Sequence, residues 1–235
     1  MDATKFLDEL FVYLVENAPC TMLFKGGYTL SKILPNARAT SDIDFSIGDK
    51  NDYQHVLTVL KEFGDIQIRK GTVQGYFPKL TITPTMSGGI VYKSTSGCNI
   101  ASVDVGLHQV TRGTQNIVIL NKAVKIFSTE RMLADKLSVV LSERRFRRSK
   151  DLYDIYIITS AFQVNMQQVR EHLSERNPSW KDYPFSNEIL IKYRKAYGTL
   201  TLINPRTGEF LEPPAFELCI GVMNALLAKV QDAKG

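Results

Sequence analysis

Two glycines, two carboxylates and two cations fall close together in the first fifth of the chain. Leu23-Phe24-Lys25-Gly26-Gly27 is an apolar run that ends in a glycine pair. After a segment of helical character to Leu34 comes Arg38-Ala39-Thr40-Ser41-Asp42-Ile43-Asp44-Phe45-Ser46. A glycine pair lets the backbone come close to a ligand. A helix starting at the second glycine would aim unpaired N–H groups and the positive end of its dipole at an anion. The same pair could equally be an ordinary turn. In Asp42-Ile43-Asp44 the alternation of a strand puts both carboxylates on one face, provided Ile43, Phe45 and Ile47 turn to the core. Paired hard oxygen ligands beside a phosphate seat suit magnesium and phosphoryl chemistry, although Asp-x-Asp is also common on solvated strand edges. Lys25 and Arg38 add a cation on either side of the intervening helix.

Further along, three charged residues sit where periodicity expects apolar ones or beside them. Asp104 lies between Val103 and Val105, so it either faces water or joins Asp42 and Asp44 on a shared face of the sheet. Lys136 falls inside the helical stripe of Met132, Leu133, Leu137, Val140 and Leu141. A lysine there must snorkel to water or meet an anion, because an unpaired buried ammonium costs several kcal/mol. Asp151 is the same anomaly with the opposite sign, on the inner face defined by Leu152, Ile155, Tyr156, Ile158 and Phe162. Lys136 and Asp151 could therefore simply pair and tie two helices together, or both could serve a site.

The blocks in this order resemble the nucleotidyltransferases of the DNA polymerase beta superfamily, and within them the AbiEii/AbiGii-type toxins of bacterial toxin–antitoxin and phage-defence systems. That family's pattern of Lys-Gly-Gly, a helix, then Arg-x-(Ser/Thr)-x-Asp-x-Asp is matched by Lys25-Gly26-Gly27, Arg38, Thr40, Asp42 and Asp44. A second pattern, Ala-x-Lys, a basic stretch, then (Arg/Lys)-Asp-x-x-Asp, is matched by Ala134-Asp135-Lys136, Arg144 to Arg148, and Lys150-Asp151-Leu152-Tyr153-Asp154. The resemblance implies transfer of a nucleoside monophosphate from a nucleoside triphosphate to an acceptor. One or two Mg2+ ions would be held by Asp42, Asp44 and the third carboxylate, Asp104. It places Lys25, Gly26, Gly27, Arg38 and Ser41 with the nucleotide phosphates, and gives Lys136 and Asp151 catalytic parts. The acceptor it permits is the 3′ end of transfer RNA, with a cognate antitoxin as a further partner. A protein or small-molecule hydroxyl is the alternative acceptor. A non-catalytic nucleotide- or RNA-binding protein is the alternative from another class.

Placing these residues requires a mixed α/β (α+β) fold: a nucleotidyltransferase-like sheet core with flanking helices over residues 1–125, then a mainly helical portion over 126–235 that completes the cleft. Hydrophobic spacing predicts helices over Thr4 to Asn17, Tyr28 to Leu34 and Asp52 to Phe63, with strands over Cys20 to Phe24 and Ser41 to Ile47. From Asp65 to Leu120 short alternating runs predict an antiparallel meander: Asp65 to Arg69, Tyr76 to Thr83, Ile90 to Lys93, Asn99 to Gly106 and Asn116 to Leu120. Beyond Phe127 the pattern is helical, with Ser128 as an N-cap. A loop over Asn177 to Pro184 holds Trp180 and Tyr183, which could stack a nucleotide or merely pin the loop. Asn204 to Pro214 reads as a turn-rich connector before a last helix over Phe216 to Val230.

Composition sets the outer bounds. The chain has 235 residues, 44% hydrophobic and 23% charged, enough for a sizeable core and too apolar for disorder. Three cysteines, an odd number with no Cys-x-x-Cys, argue against a disulfide framework or a zinc site and suit a reducing cytoplasm. The longest apolar stretch, Ala215 to Ala228, is interrupted by Glu217 and Asn224 and is too short for a membrane span. The net charge of +5 is uneven, with Arg144, Arg145, Arg147, Arg148 and Lys150 inside seven residues. Such a cluster could contact RNA or simply cap a helix end.

Overall fold

The computed structural model describes residues 3–49, 51–64, 66–67, 85–94, 97–107, 112–142, 145–146, 148–182 and 186–233. The strand expected over Tyr76 to Thr83 lies outside the described residues, as do His108, Arg144, Arg147 and Tyr183. The chain forms two compact units, Met1–Phe127 and Ser128–Gly235.

The first unit runs α1 (Ala3–Asn17), β1 (Met22–Lys25), α2 (Gly26–Ile33), β2 (Asp42–Ile47), α3 (Asp52–Phe63), β3 (Ile66–Gln67), β4 (Thr85–Ser94), β5 (Gly97–Leu107), β6 (Thr114–Ile119) and β7 (Lys122–Phe127). Its strands make one mixed seven-stranded sheet in the order β3-β4-β5-β2-β1-β7-β6. The centre forms because β1 and β2 are apolar and short. Leu23, Phe24, Ile43, Phe45 and Ile47 are buried, and α1 lays Phe6, Leu7, Leu10, Phe11 and Leu14 into the same core. Phe11 and Phe24 meet with ring centroids 4.8 Å apart, and Phe24 and Phe45 at 5.5 Å. Helix α2 stops at Ile33 with Leu34 extended, as Pro35 demands of the residue before it.

The expected meander is corrected in one respect. β4 and β5 pair antiparallel, but β5 then runs parallel to β2, and the segment from Asn116 joins the opposite side of the sheet. There β6 and β7 form a hairpin, with β7 parallel to β1. Sequence spacing offers no strand at β7, because the usual sign of a tight hairpin is Asn-Gly or Asp-Gly. Here Leu120 and Asn121 take the turn, both with positive φ, at 49° and 62°.

The second unit comprises α4 (Thr129–Val140), α5 (Lys150–Ala161), α6 (Met166–Arg176), a 3-10 turn (Trp180–Asp182), α7 (Asn187–Gly198), β8 (Leu202–Ile203), β9 (Phe210–Leu211) and α8 (Phe216–Asp232). Ser128 caps α4 as expected, its hydroxyl accepting from the Arg131 N–H at 3.3 Å. The expected connector contains the small β8–β9 hairpin. Trp180 is buried and its indole N–H donates to Ser174 Oγ at 3.1 Å, so it pins the loop and has no face left for a nucleotide. Among the described residues no helix is long and apolar enough to cross a membrane.

His172 of α6 is buried, and its Nδ1 has no hydrogen-bond partner among the described residues. Glu175 approaches to 3.9 Å but is itself largely exposed. Burial and then the Arg131 charge lower the pKa of His172, outweighing Glu175, Glu171 and Asp135. The unfolded chain therefore takes up a proton as pH falls through the ordinary value of 6.5, while folded His172 resists it. The His172 contribution to stability should be full at pH 7.5 and smaller at pH 5.5, because the unfolded imidazole titrates between them. Urea unfolding of wild type and His172→Leu at both pH values checks this, with the variant expected to lose less stability on acidification.

Candidate active site

The carboxylates come together through sheet register. β2 and β5 are parallel neighbours with Asp42 opposite Ser102 and Asp44 opposite Asp104. Ile43, Phe45, Val103 and Val105 are buried while Asp42, Asp44 and Asp104 are part-exposed, so all three acids share the face away from those core residues. The antiparallel partner of Asp44 on β1 is Lys25, which brings the acid beside the start of α2.

That start is built for close approach. Gly26 has φ +74°, a conformation that costs an L side chain, and it is the first residue of α2, one earlier than expected. A Cβ on Gly26 would lie 2.8 Å from Cγ of Asp44 and nearer still to its Oδ2, so the carboxylate rests directly on the glycine backbone. No side chain caps α2 at Lys25. Gly27 is backed by Thr40 and by the Arg38 guanidinium, whose Nη2 would be 3.5 Å from an added Cβ. Arg38 is buried and its Nη1 donates to the Ala39 carbonyl at 3.4 Å, so the cation is built into the floor of the first turn. Thr40 Oγ1 accepts from the Asp42 N–H at 3.2 Å, and Ser41 Oγ donates to Asp42 Oδ1 at 3.2 Å. The Lys25 ammonium lies over the Phe127 ring, 5.4 Å from its centroid.

This donor set fits a divalent cation in chemistry: three carboxylates on one sheet face, two of them in register, beside backbone N–H groups that favour an anion. As placed, Asp44 rests on Gly26 and Asp42 holds Ser41. Among the described residues no group of three or more His, Cys, Asp or Glu side chains is gathered to hold an ion.

The second unit carries the other expected residues. Lys136 of α4 is buried and donates to Asp151 Oδ1 at 2.5 Å and to Asp154 Oδ2 at 2.7 Å, both carboxylates on α5 and both buried. Arg148 Nε donates to Asp151 Oδ2 at 3.0 Å. Lys136 and Asp151 thus do pair, as the simpler of the two sequence readings had it. The partnership extends to Asp154, a residue not singled out for the site from sequence although its i, i+3 spacing from Asp151 was visible. The two buried carboxylates thus meet cations from both α4 and the segment before α5. Two described arginines of the basic run are turned to internal partners: Arg145 is buried with Nε on the Ser142 carbonyl at 2.8 Å, and Arg148 is engaged with Asp151.

A family model described as nucleotidyl transferase AbiEii toxin, type IV toxin–antitoxin system, matches residues 12–215. No curated protein sequence matches the chain. Among solved structures, MenT4, the nucleotidyltransferase toxin Rv2826c of Mycobacterium tuberculosis H37Rv, is similar with a TM-score of 0.59 at 17% identity, over 99% of this chain and 85% of that one. JHP933 from Helicobacter pylori is similar with a TM-score of 0.57 at 17% identity, over 98% of this chain and 91% of that one. At such identity the likeness establishes the fold, which carries the nucleotidyltransferase-like mixed sheet expected from the sequence.

Two stability predictions follow from these contacts. Gly26→Ala should cost at least about 1–2 kcal/mol from its positive φ alone, and Asp44→Gly in the same chain should restore part of the loss by removing the overlapping carboxylate. Lys136→Met leaves two buried acids facing each other and should cost about 3–5 kcal/mol, with Asp154→Asn in that background recovering part of it. Equilibrium urea unfolding of the single and double variants reads both.

Proposed function

Because the chain belongs to the AbiEii family of nucleotidyltransferase toxins, we propose that it transfers a nucleoside monophosphate from a nucleoside triphosphate to the 3′ end of transfer RNA and so arrests translation as the toxin of a toxin–antitoxin or phage-defence pair. The observation that carries the chemistry is the register of Asp44 with Asp104, with Asp42 on the same face and the Gly26 backbone against Asp44.

Asp42, Asp44 and Asp104 are the residues that would hold one or two Mg2+ ions, whose charge would offset that of the triphosphate. The backbone N–H groups of Gly26 and Gly27 donate to phosphate oxygens at the start of α2, where the helix dipole favours negative charge. For this, Asp44 turns from the glycine backbone, and the seat it leaves suits an anionic oxygen. Arg38, held under Gly27, adds positive charge to that turn, and Ser41 keeps Asp42 oriented. Lys25, opposite Asp44 with its ammonium over the Phe127 ring, supports the turn. In the second unit the catalytic part that the family gives to Lys136 is supported by the two carboxylates, Asp151 and Asp154, that hold its ammonium in place.

Transfer RNA as acceptor rests on the family alone. Once Arg145 and Arg148 are accounted for by internal partners, the basic run lends it less support than its composition suggested. A cognate antitoxin is expected on the same ground, and a reducing cytoplasm fits the absence of any paired cysteine motif.

Incubation of the purified protein with magnesium, total transfer RNA and each of the four α-labelled ribonucleoside triphosphates tests the reading, with Asp44→Ala in parallel. Label on RNA is expected from the wild type, and at least a hundredfold less from the variant, since losing a metal-binding carboxylate removes several kcal/mol of transition-state stabilisation. Label on a protein or small molecule instead would move the acceptor. Nucleotide binding without any transfer would make the chain a binding protein.

A further inference from the structure

The seat for phosphates at the start of α2 is built on a glycine pair. The first turn of a helix leaves its N–H groups without intrahelical partners, and in α2 these belong to Gly26, Gly27 and Tyr28. Glycine has no Cβ to restrict the backbone, so the residues that allow close approach do nothing to hold it still. α2 is eight residues long and has no side-chain N-cap, and so short a helix does not hold itself in water. Donors bind an anion well only when they are in place before it arrives. The rigidity of this seat must come from outside α2.

It comes from α1. Phe11 is fully buried, and its ring meets Phe24 and Tyr28 with centroids 4.8 and 5.5 Å apart. One residue of α1 thus grips the chain just before and just after Lys25-Gly26-Gly27. Apolar packing of this kind is not directional and leaves α2 free to turn about its own axis. Asp8, one turn earlier on α1, supplies the direction. Its Oδ1 accepts from the Tyr28 hydroxyl at 2.8 Å, and it pairs with the Lys32 ammonium. Tyr28 stands in the first turn of α2 and Lys32 in the last, so a single carboxylate holds the helix at both ends. The Lys32 ammonium also lies over the Tyr28 ring, 5.1 Å from its centroid, which closes the three groups on one another.

We infer that Asp8 is a positioning residue of the nucleotide site. Through Tyr28 and Lys32 it fixes the rotation of α2 about its axis, and with it the direction in which the N–H groups of Gly26, Gly27 and Tyr28 meet a triphosphate. The inference rests on the proposed function for its ligand and on the α1–α2 contacts for its mechanism. Tyr28 is then a donor of the seat through its backbone and the anchor of the seat through its side chain. No proton moves and no bond is made, so the effect belongs to substrate binding and is read in KM.

Steady-state transfer by the full-length chain, with unfolding midpoints beside it, tests this in Tyr28→Phe, Asp8→Ala and Asp8→Asn. Tyr28→Phe keeps the ring and removes only its bond to Asp8. It should raise the KM for the triphosphate about tenfold with kcat changed less than about threefold, as should Asp8→Ala. Together the two substitutions should raise KM no further than the larger single effect, because they break one linkage. Asp8→Asn still offers an oxygen to the Tyr28 hydroxyl and should keep KM within about threefold of the wild type. A role confined to stability would lower the midpoints and leave KM unmoved; KM within about threefold in both Tyr28→Phe and Asp8→Ala overturns the inference. Calorimetric binding of inorganic tripolyphosphate with magnesium separates this from the proposed function. A wild type that transfers nothing but binds tripolyphosphate about tenfold more tightly than Tyr28→Phe supports the positioning role and counts against transfer. Transfer with unchanged KM in the variants does the reverse, and neither binding nor transfer overturns both.

Discussion

A buried ammonium cannot stand without anions, and in the second unit that requirement fixes the relation of α4 to α5. Lys136 sits among Met132, Leu133, Leu137 and Val140, where sequence periodicity expects a hydrocarbon. Removing one charge from water costs several kcal/mol after relaxation. The two carboxylates that repay it must come from a neighbouring element at hydrogen-bond distance. Asp151 and Asp154, one helical turn apart on α5, do this together, and α5 can pack against α4 in only one register if both are to reach. Replacement by hydrophobic residues could give equal or greater stability.

The first unit solves a different electrostatic problem. Its three acids share a sheet face, and they repel one another when ionised. The fold tolerates this because the acids are part-exposed and because Asp44 is laid against the positive end of α2. The positive φ of Gly26, the short β1 and the antiparallel register that sets Lys25 opposite Asp44 are all needed to bring that carboxylate to the helix start. The acids of the second unit hold a lysine still, whereas those of the first lie together on one sheet face beside the start of a helix.

Much of this was legible in the residues. Alternation in Asp42 to Ile47 assigned two acids to one face, while Val103-Asp104-Val105 left Asp104 either facing water or joining them, a choice that the β2–β5 register makes. The oddity of a lysine in an apolar stripe pointed to Lys136 and Asp151. What could not be read has physical reasons. The side of the sheet that receives β6 and β7 depends on long-range pairing, and the hairpin turn uses Leu120 where a turn signal would be glycine or asparagine. Trp180 looked available for stacking because exposure of a loop aromatic is decided by a partner such as Ser174, which spacing does not reveal. Arg145 and Arg148 counted toward a cationic patch in composition, yet one is turned inward and the other is spent on Asp151.

That last point alters how the acceptor should be sought. A run of arginines attracts RNA through its summed charge only while the side chains are free to reach phosphates. As placed, Arg148 is engaged with Asp151 and Arg145 with the Ser142 carbonyl, so the composition of the run is by itself no argument for an RNA acceptor, and the acceptor is better sought by direct labelling of RNA, proteins and small molecules alike.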